Sequence, residues 1–269
     1  MAGRTLAFMS PARTATAAAR RSTRLVSWVR AWRAGIVAYD DMADEVGNDE
    51  EHLVADAPGT WCDVPLREGL GALSRLHPNE VRLVLPAPGD PRGLPGPGPF
   101  TSAALLAGEG VIAGRLGLVP QVRTHTSGSG DTFETVVWQV YPLPEAPCPT
   151  GHEPSAAEAE GALSAALAAA TAQLTRLDVA AWKPELAAVL AALRRPENGA
   201  ELPPGYTPRA RRLFARACVL DQVLALAEVA APGGAVNNYE MQQREEALRP
   251  LTVACREALV AACNSPLED

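Results

Sequence analysis

His125, Ser127, Ser129 and Asp131 lie within seven residues of one another. A serine, a histidine and an aspartate are the parts of an acyl-transfer triad. Triad members, however, converge from separate elements around a buried, oriented imidazole. The polar turn S-G-S-G-D offers no such setting, and the sequence contains no GxSxG nucleophile elbow. Ser, Gly and Asp in this order have the chemistry of a turn.

A second group sits in P-A-P-G-D-P-R-G-L-P-G-P-G-P, residues 86–99, which holds six prolines and four glycines. A loop between a strand and a helix N-terminus is where α/β layers hold small ligands and anions. Asp90 and Arg92 are the polar groups this loop would present, with His125 as a third contact. Its glycines fit neither GxGxxG nor a GK[ST] loop, and its prolines remove amides from any phosphate cradle. The plainer expectation is a rigid, polyproline-like connector packed over the sheet edge, with no ladder or helix running through it.

Metal chemistry finds no pattern. The histidines at 52, 77, 125 and 152 include no pair at helical spacing, and Cys148 beside His152 has no second ligand pair. The five cysteines, at 62, 148, 218, 255 and 263, are odd in number and far apart. That excludes a disulfide framework and a CxxC zinc site, and it indicates a reducing, cytoplasmic setting. Cys255 and Cys263 read as buried small apolar groups. The carboxylate pairs Asp40/Asp41 and Glu245/Glu246 are neighbours in sequence and do not face each other. No metal and no cofactor is expected.

The cations are distributed unevenly. The 24 basic residues are 23 Arg and one Lys, Lys183, against 31 acids. Ala occurs 50 times, Pro 24 and Gly 22, so the arginine excess reads first as the signature of a GC-rich bacterial genome. Residues 1–39 nevertheless carry seven Arg and no acid, and residues 40–66 carry nine acids and no Lys or Arg. The net charge of −7 hides a basic end and an acidic neighbour, placed to face each other. Arg24, Arg30 and Arg33 lie around Trp28 and Trp32, giving a basic amphipathic helix for a partner or a membrane surface. Docking onto the core through Leu25, Val29, Trp32 and Ile36 is the plainer use of that helix. Arg209, Arg211, Arg212 and Arg216 form a second cluster. They open a helix, where positive charge opposes the macrodipole; Glu201 is the expected compensating acid, and a nucleic-acid phosphate the alternative. With a pI near 5.2, nucleic acid is not the favoured partner.

The elements that must position these residues follow from periodicity. Residues 1–21 are poor in large apolar side chains and read as a disordered basic tail. Ser22 or Thr23 caps a helix from Arg24, which Gly35 ends or bends, and Asp40 or Asp41 caps a short turn through Val46. Residues 47–59 read as an acidic loop. Pro65 opens a helix with the stripe Leu66, Leu70, Leu73 and Leu76, and Val81–Leu85 is a strand. Thr101 caps a short helix over 102–107. Residues 111–126 are strand-like, broken at Gly114, Gly117 and Pro120, and Thr132–Tyr141 is the strongest strand, so 118–141 forms a β-hairpin. After a Pro-rich linker, 142–154, everything is helical. Ser155 and Glu158 form a capping box, and Leu163, Leu167, Ala170, Leu174 and Leu177 form a seam. Pro184 opens a second helix. Thr207-Pro208 opens a third, with Leu213, Ala217, Leu220, Leu224 and Ala227 along it. A last helix, bent near Pro250, runs from about 238 to 263.

The expected fold is α+β: a small α/β unit with a β-hairpin, residues 22–141, followed by a four-helix bundle, residues 155–264. No apolar run is long enough for a membrane span, and the apolar stretch at 5–9 is too short for a signal peptide. The leading reading is a cytoplasmic, non-enzymatic interaction or scaffold protein with a protein partner. The alternatives are a small-molecule enzyme or sensor using the loop 86–99, and nucleic-acid contact through the basic tail.

Overall fold

A computed structural model describes residues 20–48, 50–56, 62–128, 131–143, 153–176, 201–229 and 238–268. Helix α1 (Arg21–Arg33) begins inside the segment expected to be tail. Its N-cap is Arg20, with no side-chain cap, and neither Ser22 nor Thr23 fills that position. Instead Thr23 donates its hydroxyl to the Arg20 carbonyl, and Glu109 reaches in to accept the Ser22 amide at 2.8 Å. A tertiary carboxylate thus serves the helix N-terminus, where negative charge is favoured. Helix α2 (Tyr39–Gly47) follows Ala38, again with no side-chain cap, and ends at Asn48 in the left-handed conformation.

The expected acidic loop contains a strand, β1 (Glu51–Ala55). Only His52, Val54 and Ala55 are buried, so the acids around it masked the pattern. After β2 (Val64–Pro65) the leucine stripe buries Leu66, Leu70 and Leu73, but on one turn of α-helix, α3 (Leu66–Gly69), and a 3-10 turn, Leu70–Leu73. A second 3-10 turn, Pro78–Glu80, leads into β3 (Val81–Val84). Helix α4 (Pro99–Ala107) starts three residues before the expected helix, with Gly98 rather than Thr101 as N-cap and Pro99 in the first turn. Strands β4 (Gly110–Ala113), β5 (Leu116–Thr126) and β6 (Thr132–Pro142) complete a six-stranded sheet of order β2-β1-β6-β5-β4-β3. β1 and β6 are parallel; the other neighbours are antiparallel.

Two expected breaks in β5 are absent. Gly117 and Pro120 both stay in register, opposite Tyr141 and Trp138. A Cβ at Gly117 would stand 2.3 Å from the Phe100 ring, so glycine here lets α4 lie against the strand. The Pro/Gly loop is also more ordered than its composition suggests. Ala87 and Asp90 exchange both backbone hydrogen bonds, at 3.0 and 2.8 Å, around Pro88-Gly89. Gly89 has φ +79°, which a turn with Pro first and Gly second requires. The loop then folds over one sheet face, where Leu94 packs with Phe100, Ala104, Ile112 and Val119.

The other face carries α1, α2 and the C-terminal helices, α5 (Ala156–Arg176), α6 (Pro208–Val229) and α7 (Asn238–Cys263). The capping box at Ser155 and Glu158 is present, and Thr207 accepts the Ala210 amide before Pro208. Pro250 lies inside α7. The helix expected from Pro184 lies outside the described residues. One continuous core joins Leu25, Val29, Val54, Leu83, Val136 and Trp138 to Leu163, Leu213, Leu251 and Leu259. On this face sheet and helices therefore share their buried side chains, while the opposite face carries the smaller cluster around Phe100.

Polar clamps seal this junction. The Asn264 side-chain amide exchanges both hydrogen bonds with Leu83, at 2.8 and 3.1 Å, and so satisfies the outer edge of β3. Arg20 holds Asp221 of α6 with two bonds of 2.9 Å and also donates to the Gly108 carbonyl. Arg30, expected on the polar side of α1, is 1% exposed. It donates to the carbonyls of Pro78, Val81 and Ser265 at 3.1, 3.1 and 2.7 Å. A guanidinium can be buried when its fork meets carbonyls on several sides, and here two come from the ends of helical turns.

Candidate acidic docking face

Helix α2 turns Met42, Ala43 and Val46 into the core and leaves Asp40, Asp41, Asp44 and Glu45 exposed. The result is an acidic ridge with a cleft on either side. Ala43, Asp44, Gly47, Asn48, Glu50, His52, Pro65, Leu66 and Arg67 line one cleft, of about 450 Å³. The other, about 370 Å³, is lined by Trp28, Val37, Asp41, Asp44, Glu45 and Pro204. Both are open to solvent at the ridge. Arg67 bridges Asp40, at 3.0 Å, and Asp44 across the first cleft. Asp41 and Glu45 have no ion pair or hydrogen bond among the described residues.

Beneath the first cleft runs a polar chain. The indole N–H of Trp138 donates to Nδ1 of His52 at 3.0 Å, and Nε2 of His52 lies 3.3 Å from Glu50. Indole can only donate, so Nδ1 is the acceptor and Nε2 carries the proton that Glu50 receives. Arg21 in turn grips Glu50 through both Nε and Nη2. The His52 hydrogen bond and the Arg21 guanidinium pull the Glu50 carboxyl from 4.5 down to about 2, against the opposing effect of its burial. Both imidazole nitrogens are occupied, and the ring is buried. The arrangement fixes β1 beside β6; it presents no free base to a substrate.

Glu50 gives a pH signature. A carboxylate whose pKa falls on folding stabilises the fold above its unfolded value, and that stability is lost as pH drops through the folded value. The urea midpoint is expected to fall between pH 4.5 and about 2. Glu50→Gln should flatten that part of the curve, measured by tryptophan fluorescence.

The residues singled out from sequence are dispersed. Asp90 accepts from Arg92 at 2.7 and 2.9 Å and from Arg256 of α7 at 2.9 Å, and Arg92 also meets Glu257. Pairing with Arg92 lowers the Asp90 pKa and raises that of Arg92. The loop thereby fastens to α7. His125 stacks on Phe133 with ring centroids 4.9 Å apart, and Ser127 Oγ accepts the Asp131 amide, closing the turn. Ser129 lies outside the described residues. On α1, Arg33 donates to the Leu76 carbonyl and lies 5.1 Å over Trp32, while Arg24 is half-buried and its pKa is lowered by that burial. At the start of α6, Arg209 pairs with Glu160 of α5 at 3.3 Å, not with Glu201. Arg211 donates to the Pro203 carbonyl, Arg216 to Ser164 Oγ, and Arg212 is exposed. The packing of α5 against α6 decides that choice.

Sequence reasoning missed His52 and Glu50 because both fell in the acidic loop. The alternation of buried His52 and Val54 was the available signal. Among the described residues no helix is long and apolar enough to cross a membrane, and no group of His, Cys, Asp and Glu is arranged to hold a metal ion.

Residues 22–153 match the N-terminal domain of Rv1486c-like proteins and residues 157–260 the C-terminal domain of the same proteins. The uncharacterized protein Rv1486c of Mycobacterium tuberculosis is 30% identical over 286 residues, covering 91% of this chain and 96% of its own. The uncharacterized protein ML1804 of Mycobacterium leprae is 27% identical over 290 residues, covering 91% and 97%. No solved structure matches the chain.

Proposed function

The chain belongs to the Rv1486c-like protein family, and we propose that it is a non-catalytic interaction protein of the reducing cytoplasm that docks a basic segment of a protein partner on the α2 ridge. The carrying observation is the pair Asp41 and Glu45. Both are exposed, both lack an ion-pair partner among the described residues, and both line a cleft that Trp28 walls with an aromatic ring. An arginine side chain fits such a place: its guanidinium meets the carboxylates while its plane lies on the indole. Cytoplasmic residence is supported by the described cysteines, 62, 218, 255 and 263, which are all free thiols.

The competing readings draw on groups already engaged. A ligand at Asp90 and Arg92 would have to displace Arg256 and Glu257. Two cations at the base of the tail, Arg20 and Arg21, are held by Asp221 and Glu50.

The test is fluorescence anisotropy of a labelled peptide of alternating arginine and glycine. Wild-type protein should bind it, more weakly as salt rises. Asp41→Lys with Glu45→Lys should weaken binding on the order of tenfold or more, about 1.4 kcal/mol per tenfold step. Equal binding by wild type and the charge-reversed protein would overturn the reading, as would no binding to wild type.

A further inference from the structure

The β5–β6 hairpin runs past the sheet that supports it. β4 pairs only with Leu116–Leu118 of β5, and β1 reaches β6 no further than Thr135. Residues 121–126 of β5 are exposed past the end of β4; 121–123 still have β6 and β1 on their inner side, and 124–126 with 132–134 run on as a two-stranded arm with solvent on both faces. Val122, 38% exposed, lies at the base of this arm and Phe133, 52% exposed, is on it.

The arm has an open hydrogen-bonding edge, and its parity can be read. Leu116 faces Ala113 at the two-residue turn that joins β4 to β5, so Leu116 turns its backbone groups toward β4. Pro120 has the same parity, sits opposite Trp138, and has no N–H to give β6. Even-numbered residues of β5 therefore point outward. Past the end of β4, Val122, Thr124 and Thr126 present N–H and C=O groups to which no backbone partner is assigned among the described residues. The stretch V-R-T-H-T is rich in β-branched side chains, and its only constant charge, Arg123, pairs with Asp63 at 3.3 Å on the half-exposed surface. Edges of this kind are normally blunted; here the blunting residue, Pro120, stops short of the arm.

We propose that this edge pairs with the same edge of a second copy of the chain, antiparallel about a two-fold axis through Thr124. In that register Thr124 faces Thr124 of the second copy and Val122 faces Thr126. Every outward N–H of the three residues then meets a carbonyl. Charge selects the same register. Sliding the strands to centre on Arg123 sets arginine across from arginine, which is destabilising. Centring on Val122 brings in Pro120, which has no N–H. Centring on Thr124 puts Arg123 across from His125, whose ring is stacked on Phe133. An edge that is its own complement fits an isologous dimer, the commonest closed assembly. This surface is distinct from the α2 ridge.

Sedimentation velocity of the full chain across a concentration series tests it. Wild type should shift from monomer to dimer. Thr124→Pro removes an outward N–H and no hydrogen bond to β6, as Pro120 already does two pairs earlier in the same strand. It should raise the dimer dissociation constant on the order of tenfold or more, two hydrogen bonds being lost per dimer, with an unchanged melting temperature. Separately, Thr124→Cys in a Cys62→Ser background should give a disulfide-linked dimer under mild oxidation, since facing residues in a hydrogen-bonded pair stand about 5.5 Å apart at Cα. A chain that stays monomeric at every concentration overturns the proposal. So does a dimer that survives Thr124→Pro and fails to crosslink through Thr124→Cys. An edge that pairs only with a foreign extended peptide also overturns it, because the occupant is then not a second copy.

Discussion

Arg30→Met is expected to lower the free energy of unfolding by about 3–5 kcal/mol, the largest effect of any single polar substitution among the described residues. Methionine keeps the apolar stem and removes the guanidinium head, leaving a small void where the head was buried. What it leaves behind are the carbonyls of Val81 and Ser265, served by Arg30 Nη atoms, and that of Pro78, which keeps the Val81 amide as a donor. A buried acceptor stripped of its donor costs about 1–3 kcal/mol. Removing the cation also removes its own desolvation cost, which offsets part of these penalties. Arg30→Lys should rescue little. An ammonium is a point donor, whereas these carbonyls come from two directions: the 3-10 turn before β3, and the residues following α7. Urea unfolding of both variants, with comparable slopes, checks this; a loss under 1 kcal/mol for Arg30→Met would show that the carbonyls find other donors.

Trp138→Phe is expected to cost about 2–3 kcal/mol. Trp138 is fully buried on β6, and its indole donates to His52. Phenylalanine leaves a small void and an imidazole acceptor with nothing to accept from. The two contributions are separable. In a His52→Phe background the orphaned acceptor no longer exists, so Trp138→Phe should cost clearly less there. A double-mutant cycle with no coupling would mean that the hydrogen bond contributes nothing and that only volume matters.

These two residues also show where sequence reasoning succeeds and where it stops. The stripes Leu66-Leu70-Leu73-Leu76 and Leu213-Ala217-Leu220-Leu224-Ala227 were legible because burial of apolar side chains leaves a period in the chain; all are buried but Leu76 and Leu220, which are half-buried. The β5–β6 hairpin was legible for the same reason. Arg30 was not. Its partners are backbone carbonyls, which leave no trace in side-chain identity, and an arginine on a helix reads by default as solvated. The Glu50–His52–Trp138 chain was hidden by distance. Its parts meet only because β1 lies parallel to β6, a pairing made through a long crossover. The sharp change from seven arginines to nine acids was visible from the start. The structure explains part of it: Arg21 on Glu50 is one of the pairings that charge pattern anticipated. It leaves Asp41 and Glu45 without a close ion pair among the described residues, Glu45 lying within the field of Arg24.

Those two carboxylates are where the functional account is most exposed to test. The most direct measurement is a titration of isotope-labelled full-length protein with the arginine–glycine peptide, followed by heteronuclear NMR. Saturable shifts are expected in the amides of α2 and in the Trp28 indole N–H, lost in the Asp41→Lys, Glu45→Lys protein. Shifts confined to other surfaces, or none at saturating peptide, would contradict it.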